Sequence, residues 1–173
     1  MSTMQARLRS AATMAGLAVL LLIGVAWAWS AVTEPFPEGE DVATCTPTTV
    51  EEGEKVFPAQ VTVSVLNAGN REGLANRTMT ELIDAGLGEG DLANAPEDAK
   101  VSGVEVWTSD PKNPAVRLVV SFLGKGAKVV ERDPQLPGVN VVVGEDFPGV
   151  TGGRKAVPVK EDSTICSPPT DQL

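Results

Sequence analysis

Between residues 61 and 83 the hydrophobic period of the chain changes, and few arrangements accommodate that change. Val61, Val63 and Val65 alternate with Thr62 and Ser64, which is the period of a half-buried strand. Leu74, Ala75, Thr78, Met79, Leu82 and Ile83 then recur at the spacing of one helix face, with Asn76, Arg77, Thr80, Glu81 and Asp84 opposite. A strand therefore feeds a helix through the loop 67–73. That loop is rich in Asn and Gly, which suit a tight reversal. Gly86 and Gly88 follow as candidate C-cap residues.

Further along, residues 89–101 are polar and broken by Pro96, and read as a loop. Val104, Val106 and Thr108 alternate with Glu105 and Trp107, which predicts a second strand over 103–108. Trp107 then lies on the face opposite the two valines, where burial is favoured over exposure as a contact residue. After the turn 109–114, Val116, Val119, Val120 and Leu123 stand at helical spacing, with Pro114 suited to a first turn. The valine content of 115–123 also suits a strand. Two more strands are expected at 127–131 and 139–143, joined by the turn 133–138. The second of them is a valine run with Asn140 as its one polar residue, as in a central strand covered on both faces.

The amino-terminal part is of another kind. Residues 10–33 run 24 positions without a charge, and at about 1.5 Å per residue such a helix spans a bilayer core of about 30 Å with some tilt. Arg7 and Arg9 precede it and Glu34, Glu38, Glu40 and Asp41 follow, so the positive-inside rule places the N-terminus in the cytoplasm and the rest outside. Trp27 and Trp29 at the outer end favour a retained anchor. The competing reading is a cleaved signal peptide, since Ala26, Trp27 and Ala28 fit a small-x-small cleavage pattern. The expected organisation is a cytoplasmic segment 1–10, a transmembrane anchor 11–33, an acidic proline-containing stalk 34–59, a folded domain 60–148 and a tail 149–173. Cys45 and Cys166 are the two cysteines and flank the folded region, which in an exported chain predicts a disulfide. It closes a loop of about 120 residues, for which the chain-entropy account allows roughly 4 to 5 kcal/mol. Unpaired thiols or an intermolecular bridge are the alternatives.

Charge narrows the function. Of 14 basic and 23 acidic residues, only Arg7 and Arg9 precede Glu34, so the last 140 positions carry 12 and 23, a net −11. Such an acidic part repels nucleic acid and bare anionic lipid over a Debye length of about 10 Å. With no His and no Tyr, a Ser-His-Asp triad and a His-ligated zinc site are excluded, and no Ser stands in a supported SxxK arrangement. No catalytic, cofactor-binding or metal-ligating set is expected. The loop 67–73 precedes a helix, whose N-terminus offers N–H groups to an anion, and Asn67, Asn70, Arg71 and Gly73 form a candidate ligand loop. Neither GxxxxGK[ST] nor GxGxxG is met and Glu72 offsets Arg71, so a plain structural turn is the default. The acid pairs Glu97 with Asp98 and Glu145 with Asp146 read first as solvated surface.

A strand ending in VLNAG, a short polar loop and GLA opening an amphipathic helix resemble the start of the LytR C-terminal domain, the LytR/CpsA/Psr-associated module. VNVVVGEDF at 139–147 resembles that module's closing strand and its acid-Phe finish. The resemblance favours the helix over 115–123. It implies an α/β fold: a small two-layer sandwich, a mixed sheet of about four strands with two helices on one face, after one N-terminal transmembrane helix. The layout of basic N-terminus, span, Cys-flanked ectodomain and single module is similar to that of actinobacterial envelope integrity proteins. The catalytic LytR/CpsA/Psr domain, some hundreds of residues long, has no counterpart in these 173 positions, so its activity is not carried over. The resemblance therefore implies a non-catalytic module at the cell membrane that binds a cell-wall polymer or an envelope protein. The alternatives are an accessory regulator of wall glycopolymer transfer and an enzyme built on carboxylates alone, which would need a pair about 5 to 9.5 Å apart in a cleft.

Overall fold

The computed structural model describes residues 3–33 and 44–169, with side chains in the first segment described at 13–29. The chain divides into two compact units, Met1–Val42 and Ala43–Leu173. In the first, α1 (Thr3–Thr33) is one helix of 31 residues. Leu17, Leu20, Leu21, Leu22, Ile23 and Val25 are all exposed on it. Among the described residues no helix is long and apolar enough to cross a membrane. The stretch of α1 with described side chains is itself shorter than the roughly 20 residues that a span takes.

The second unit contains, in order, β1 (Thr46–Val50), β2 (Lys55–Val56), a 3-10 turn (Pro58–Gln60), β3 (Thr62–Asn67), α2 (Leu74–Asp84), β4 (Gly88–Asn94) and β5 (Val104–Thr108). After these come α3 (Pro114–Val120), β6 (Lys128–Glu131), β7 (Val139–Val143), β8 (Val157–Pro158) and β9 (Ser163–Ser167). The main sheet has five strands in the order β4-β3-β7-β5-β6. β3 is parallel to both β4 and β7, β5 is parallel to β6, and β5 and β7 are antiparallel. The sheet is mixed, as expected, and larger by one strand.

Both helices lie on one face. Val63 and Val65 of β3, Val139, Val141 and Val143 of β7, and Val104 and Val106 of β5 form one cluster with Leu74, Met79 and Leu82 of α2 and Val116, Leu118 and Val119 of α3. A side chain of this kind, fully buried, contributes about 1.5 to 3 kcal/mol relative to exposure. Gly73 starts α2 with φ 74°, the left-handed region where glycine meets no Cβ clash. Asn113 caps α3, its side chain accepting the Ala115 N–H at 3.0 Å, and Pro114 opens the helix. Ile83, placed by its spacing on the apolar face, is 37% exposed at the edge of α2.

The other face carries Leu66, Val101, Trp107 and Val142 in a smaller cluster roofed by Ala95, Ala99 and Leu136 from loops. Trp107 is 1% exposed, so it is core. Its Nε1–H donates to Glu105 at 3.1 Å, and the Arg132 guanidinium sits 4.2 Å from its ring centroid. The β7 run is buried at every position. Asn140 fits there because its amide accepts from the Gln135 and Leu136 N–H groups at 2.8 and 2.9 Å and donates to the Leu136 and Gly138 carbonyls at 2.7 and 3.1 Å. This buried side chain thus holds three residues of the turn before β7, and the Ser64 hydroxyl donates to the carbonyl of a fourth, Pro137, at 2.6 Å.

Three expectations need correction. Residues 89–101 are not simply a loop, because 88–94 form the edge strand β4, and Gly88 opens that strand instead of capping α2. The part of the expected stalk from 44 to 59 is folded: β1 pairs with β9, β2 pairs with β8, and Val50 and Val56 are buried in the main cluster. The expected tail supplies the partner strands, with Val157, Val159 and Ile165 in the same core. The remainder of the stalk, 34–43, and residues 170–173 lie outside the described residues. Cys45 and Cys166 form the expected disulfide, with Cα atoms 5.4 Å apart.

Candidate functional site

The three parallel strands β3, β4 and β7 end side by side, and the loops that leave them shape the site. Residues 67–73 leave β3, 95–99 leave β4 and 144–147 leave β7. Between the first two lies an open crevice of about 650 Å3, lined by Asn67, Asn70, Glu72 and Gly73 on one side and Asn94 and Glu97 on the other. Crevices outside the carboxyl ends of parallel strands are where open α/β sheets commonly take ligands.

The loop is built largely on its own side chains. Asn67 Oδ1 accepts the Gly69 N–H at 3.0 Å and its Nδ2 donates to the Arg71 carbonyl at 3.1 Å, so both ends of the amide hold the reversal. The Asn67 carbonyl accepts the Ala95 N–H at 2.8 Å, which ties the two walls of the crevice together. Across the sheet, Glu145 Oε1 accepts the Asn70 N–H at 3.1 Å. A carboxylate of the chain thus occupies a donor that an anionic ligand would need, and Glu72 and Glu97 add two more carboxylates to the walls. The crevice suits a neutral, hydroxyl- or amide-bearing ligand better than a phosphate.

The structure brings Asn67, Asn70 and Gly73 together in this crevice, whereas Arg71 is exposed and is not among the residues lining it. Asn70 and Asn94, both exposed, line opposite walls of the crevice. Asn94 and Glu145 escaped sequence reasoning, the first because β4 was not recognised and the second because its contact joins positions 75 residues apart. The acid pairs are divided among separate tasks. Asp98 pairs with Arg132 at 3.4 Å while Glu97 lines the crevice, and Glu145 braces the loop while the Asp146 N–H bonds the Ser102 carbonyl. Among the described residues no three acidic, Cys or His side chains converge as a metal site.

Residues 60–147, which contain this crevice and every strand of the main sheet, match the family model LytR_C, described as LytR cell envelope-related transcriptional attenuator. The chain belongs to the LytR_C family. The match covers β3 through β7 and ends at Phe147, so α2, α3, the five-stranded sheet and the loops 67–73, 95–99 and 144–147 are the LytR_C module itself. β1, β2, β8 and β9 are additions on its flanks, closed by the disulfide. No curated protein matches the chain. Among solved structures, the soluble domain of a conserved hypothetical secreted protein, the Rv2700 ortholog from Mycobacterium marinum, is 25% identical and covers 57% of this chain and 76% of its own, with a TM-score of 0.42.

Proposed function

We propose that this LytR_C chain is a non-catalytic, membrane-anchored extracytoplasmic module that supports envelope integrity by binding a wall component or an envelope protein. The observation that carries the reading is the family match over 60–147, whose model is described as cell envelope-related. Other features support it. The Cys45–Cys166 bond suits an oxidising compartment outside the cytoplasm. A helix apolar on every side, as α1 is over its described side chains, suits lipid. The combined layout resembles the actinobacterial envelope integrity protein Cei, and the Mycobacterium marinum relative is described as secreted.

Within this reading the crevice between 67–73 and 95–99 is the surface for the wall component. Asn70 and Asn94 offer amides that pair with hydroxyl and acetamido groups, and the carboxylates on the walls repel bare phosphate. The test is sedimentation of the full chain, in mild detergent, with isolated cell-wall material across a salt series. The expected result is saturable binding with little salt dependence, weakened by Asn70→Ala and by Asn94→Ala. Absence of sedimentation at every salt, together with no protein crosslink in cells, would refute the reading.

A further inference from the structure

The two edges of the five-stranded sheet are finished differently. At β4, Pro168 packs against Gly88 with no room for a side chain between them, and Thr44 Oγ1 bonds the Asp91 carboxylate at 3.3 and 3.4 Å. The disulfide-linked flanks therefore lie against that edge over residues 88–91. At the far end of the sheet β6 has β5 as its one hydrogen-bonded neighbour. The Arg132 N–H bonds the Thr108 carbonyl at 3.1 Å, which sets the alternation: Lys128 and Val130 turn their backbone groups toward β5, and Val129 and Glu131 turn theirs outward. An open strand edge with two residues of outward N–H and C=O groups is a template for one more strand.

Beside that edge, on the helix face, lies an apolar groove of about 240 Å3 formed by Val129 of β6, Val116 and Val120 of α3 and Pro111, with Arg117 and Arg154 at its rim. Val129 pairs in register with Val106, whose side chain belongs to the helix-side core, so Val129 points to the same face. It is 40% exposed. A strand laid along β6 would place one side chain opposite Val129 and over this groove, and the residues two positions to either side, which share that face, beside the two guanidinium groups. Exposed Lys125, just before β6, and exposed Lys155, next to Arg154, add positive charge near this edge, while Glu131 shares the face of Val129 and Lys128 lies on the opposite face.

The geometry points to β6 and the α3 groove as a docking surface for an extended, acidic segment of a partner protein, added to the sheet as a sixth strand with an apolar side chain in the groove. Backbone pairing supplies the attachment, the groove selects a branched apolar residue, and Arg117 and Arg154 select flanking carboxylates. The shortness of β6 and the charges of Lys128 and Glu131 keep unselected strands off. This inference rests on the binding-module reading and names a second surface and a partner class for it.

The test uses the full chain in nanodiscs of neutral lipid and a fluorescein-labelled, end-blocked six-residue peptide with glutamate, valine and glutamate at alternate positions, so that all three share one face, and threonine at the rest. Fluorescence anisotropy is expected to give saturable binding, and hydrogen–deuterium exchange is expected to show new protection confined to 128–131. Val129→Pro removes an outward N–H and leaves the bonds to β5 intact, and Arg154→Glu reverses an exposed charge. Each is expected to weaken binding by about tenfold. Lack of saturable binding, equal binding of a matched peptide with lysine in place of glutamate, protection at 88–94 in place of 128–131, or two folded variants that bind as before would overturn the inference. Wall sedimentation of the same two variants reads the binding-module proposal separately, because both lie outside the crevice.

Discussion

Replacing Asn140 with Asp tests how much one buried amide contributes to this fold. Asn140 is fully buried, and its four bonds hold the backbone of Gln135, Leu136 and Gly138. At about 0.5 to 1.5 kcal/mol per bond, and with water able to reach part of the turn, Asn140→Ala should cost about 2 to 3 kcal/mol. Asn140→Asp keeps the acceptor for the Gln135 and Leu136 N–H groups but turns an oxygen toward the Leu136 and Gly138 carbonyls and buries a charge. Its cost at neutral pH should reach about 4 kcal/mol. Burial raises the folded pKa of such an Asp above its unfolded value near 3.9, so the variant is most stable below that value and loses stability as pH rises through the folded pKa. The Asp and Ala variants should therefore converge on acidification. Trp107, paired in register with Asn140, reports unfolding once Trp27 and Trp29 are replaced by Phe. With a urea slope of about 1.5 kcal/mol per molar, the midpoint should fall by about 1.3 to 2 M for Ala and about 2.7 M for Asp. A shift under about 0.5 M for both, or an Asp variant as stable at neutral pH as the Ala variant, would refute the assignment of the turn to this side chain.

Three further outcomes follow from the same structure. Gly144→Ala should abolish folding or lower the urea midpoint by more than any other single methyl addition, because a Cβ there collides with the Val101 and Ser102 carbonyls while the Gly144 N–H bonds Gly103 at 2.7 Å. Thr62→Val should raise stability by about 1 kcal/mol in urea melts, since the Thr62 hydroxyl is buried without a partner among the described residues. The double variant Cys45→Ala, Cys166→Ala should lose up to about 4 to 5 kcal/mol, for a closed span of 121 residues, with exchange rising first over 44–50 and 163–167.

How much of this was legible in the sequence depends on where the apolar residues stand. The switch of period at 61–83 and the valine run of β7 report core positions directly, so β3, α2, β5, β6 and β7 were readable, whereas the valines of 115–123 suited helix and strand alike and only the family resemblance favoured α3. β4 was not, because GEGDLAN has no apolar alternation. Its position is fixed by backbone pairing to β3 and by close packing of Gly88 on Pro168 and of Gly90 on Val63, which needs small residues in place of apolar ones. β1 and β9 are rich in Thr, Ser and Pro and read as linker. Only the register that sets Pro47 opposite Cys166 shows that the two flanks are one ribbon. In the crevice, the loop and its helix were visible from Asn67 to Gly73. That Asn67 is spent on holding the loop, and that Glu145 braces it, depends on long-range contacts with no local signature.

The bond between Cys45 and Cys166 also decides how the folded unit responds to tension. The chain enters at Cys45 and is welded there to the last strand, β9, which lies antiparallel to β1 over five residue pairs. A pull on the residues ahead of Cys45 is shared at once between both ribbon strands, so neither can be peeled away alone. Drag on anything bound to the module would be borne by a covalent joint before it reached the hydrogen bonds of the sheet.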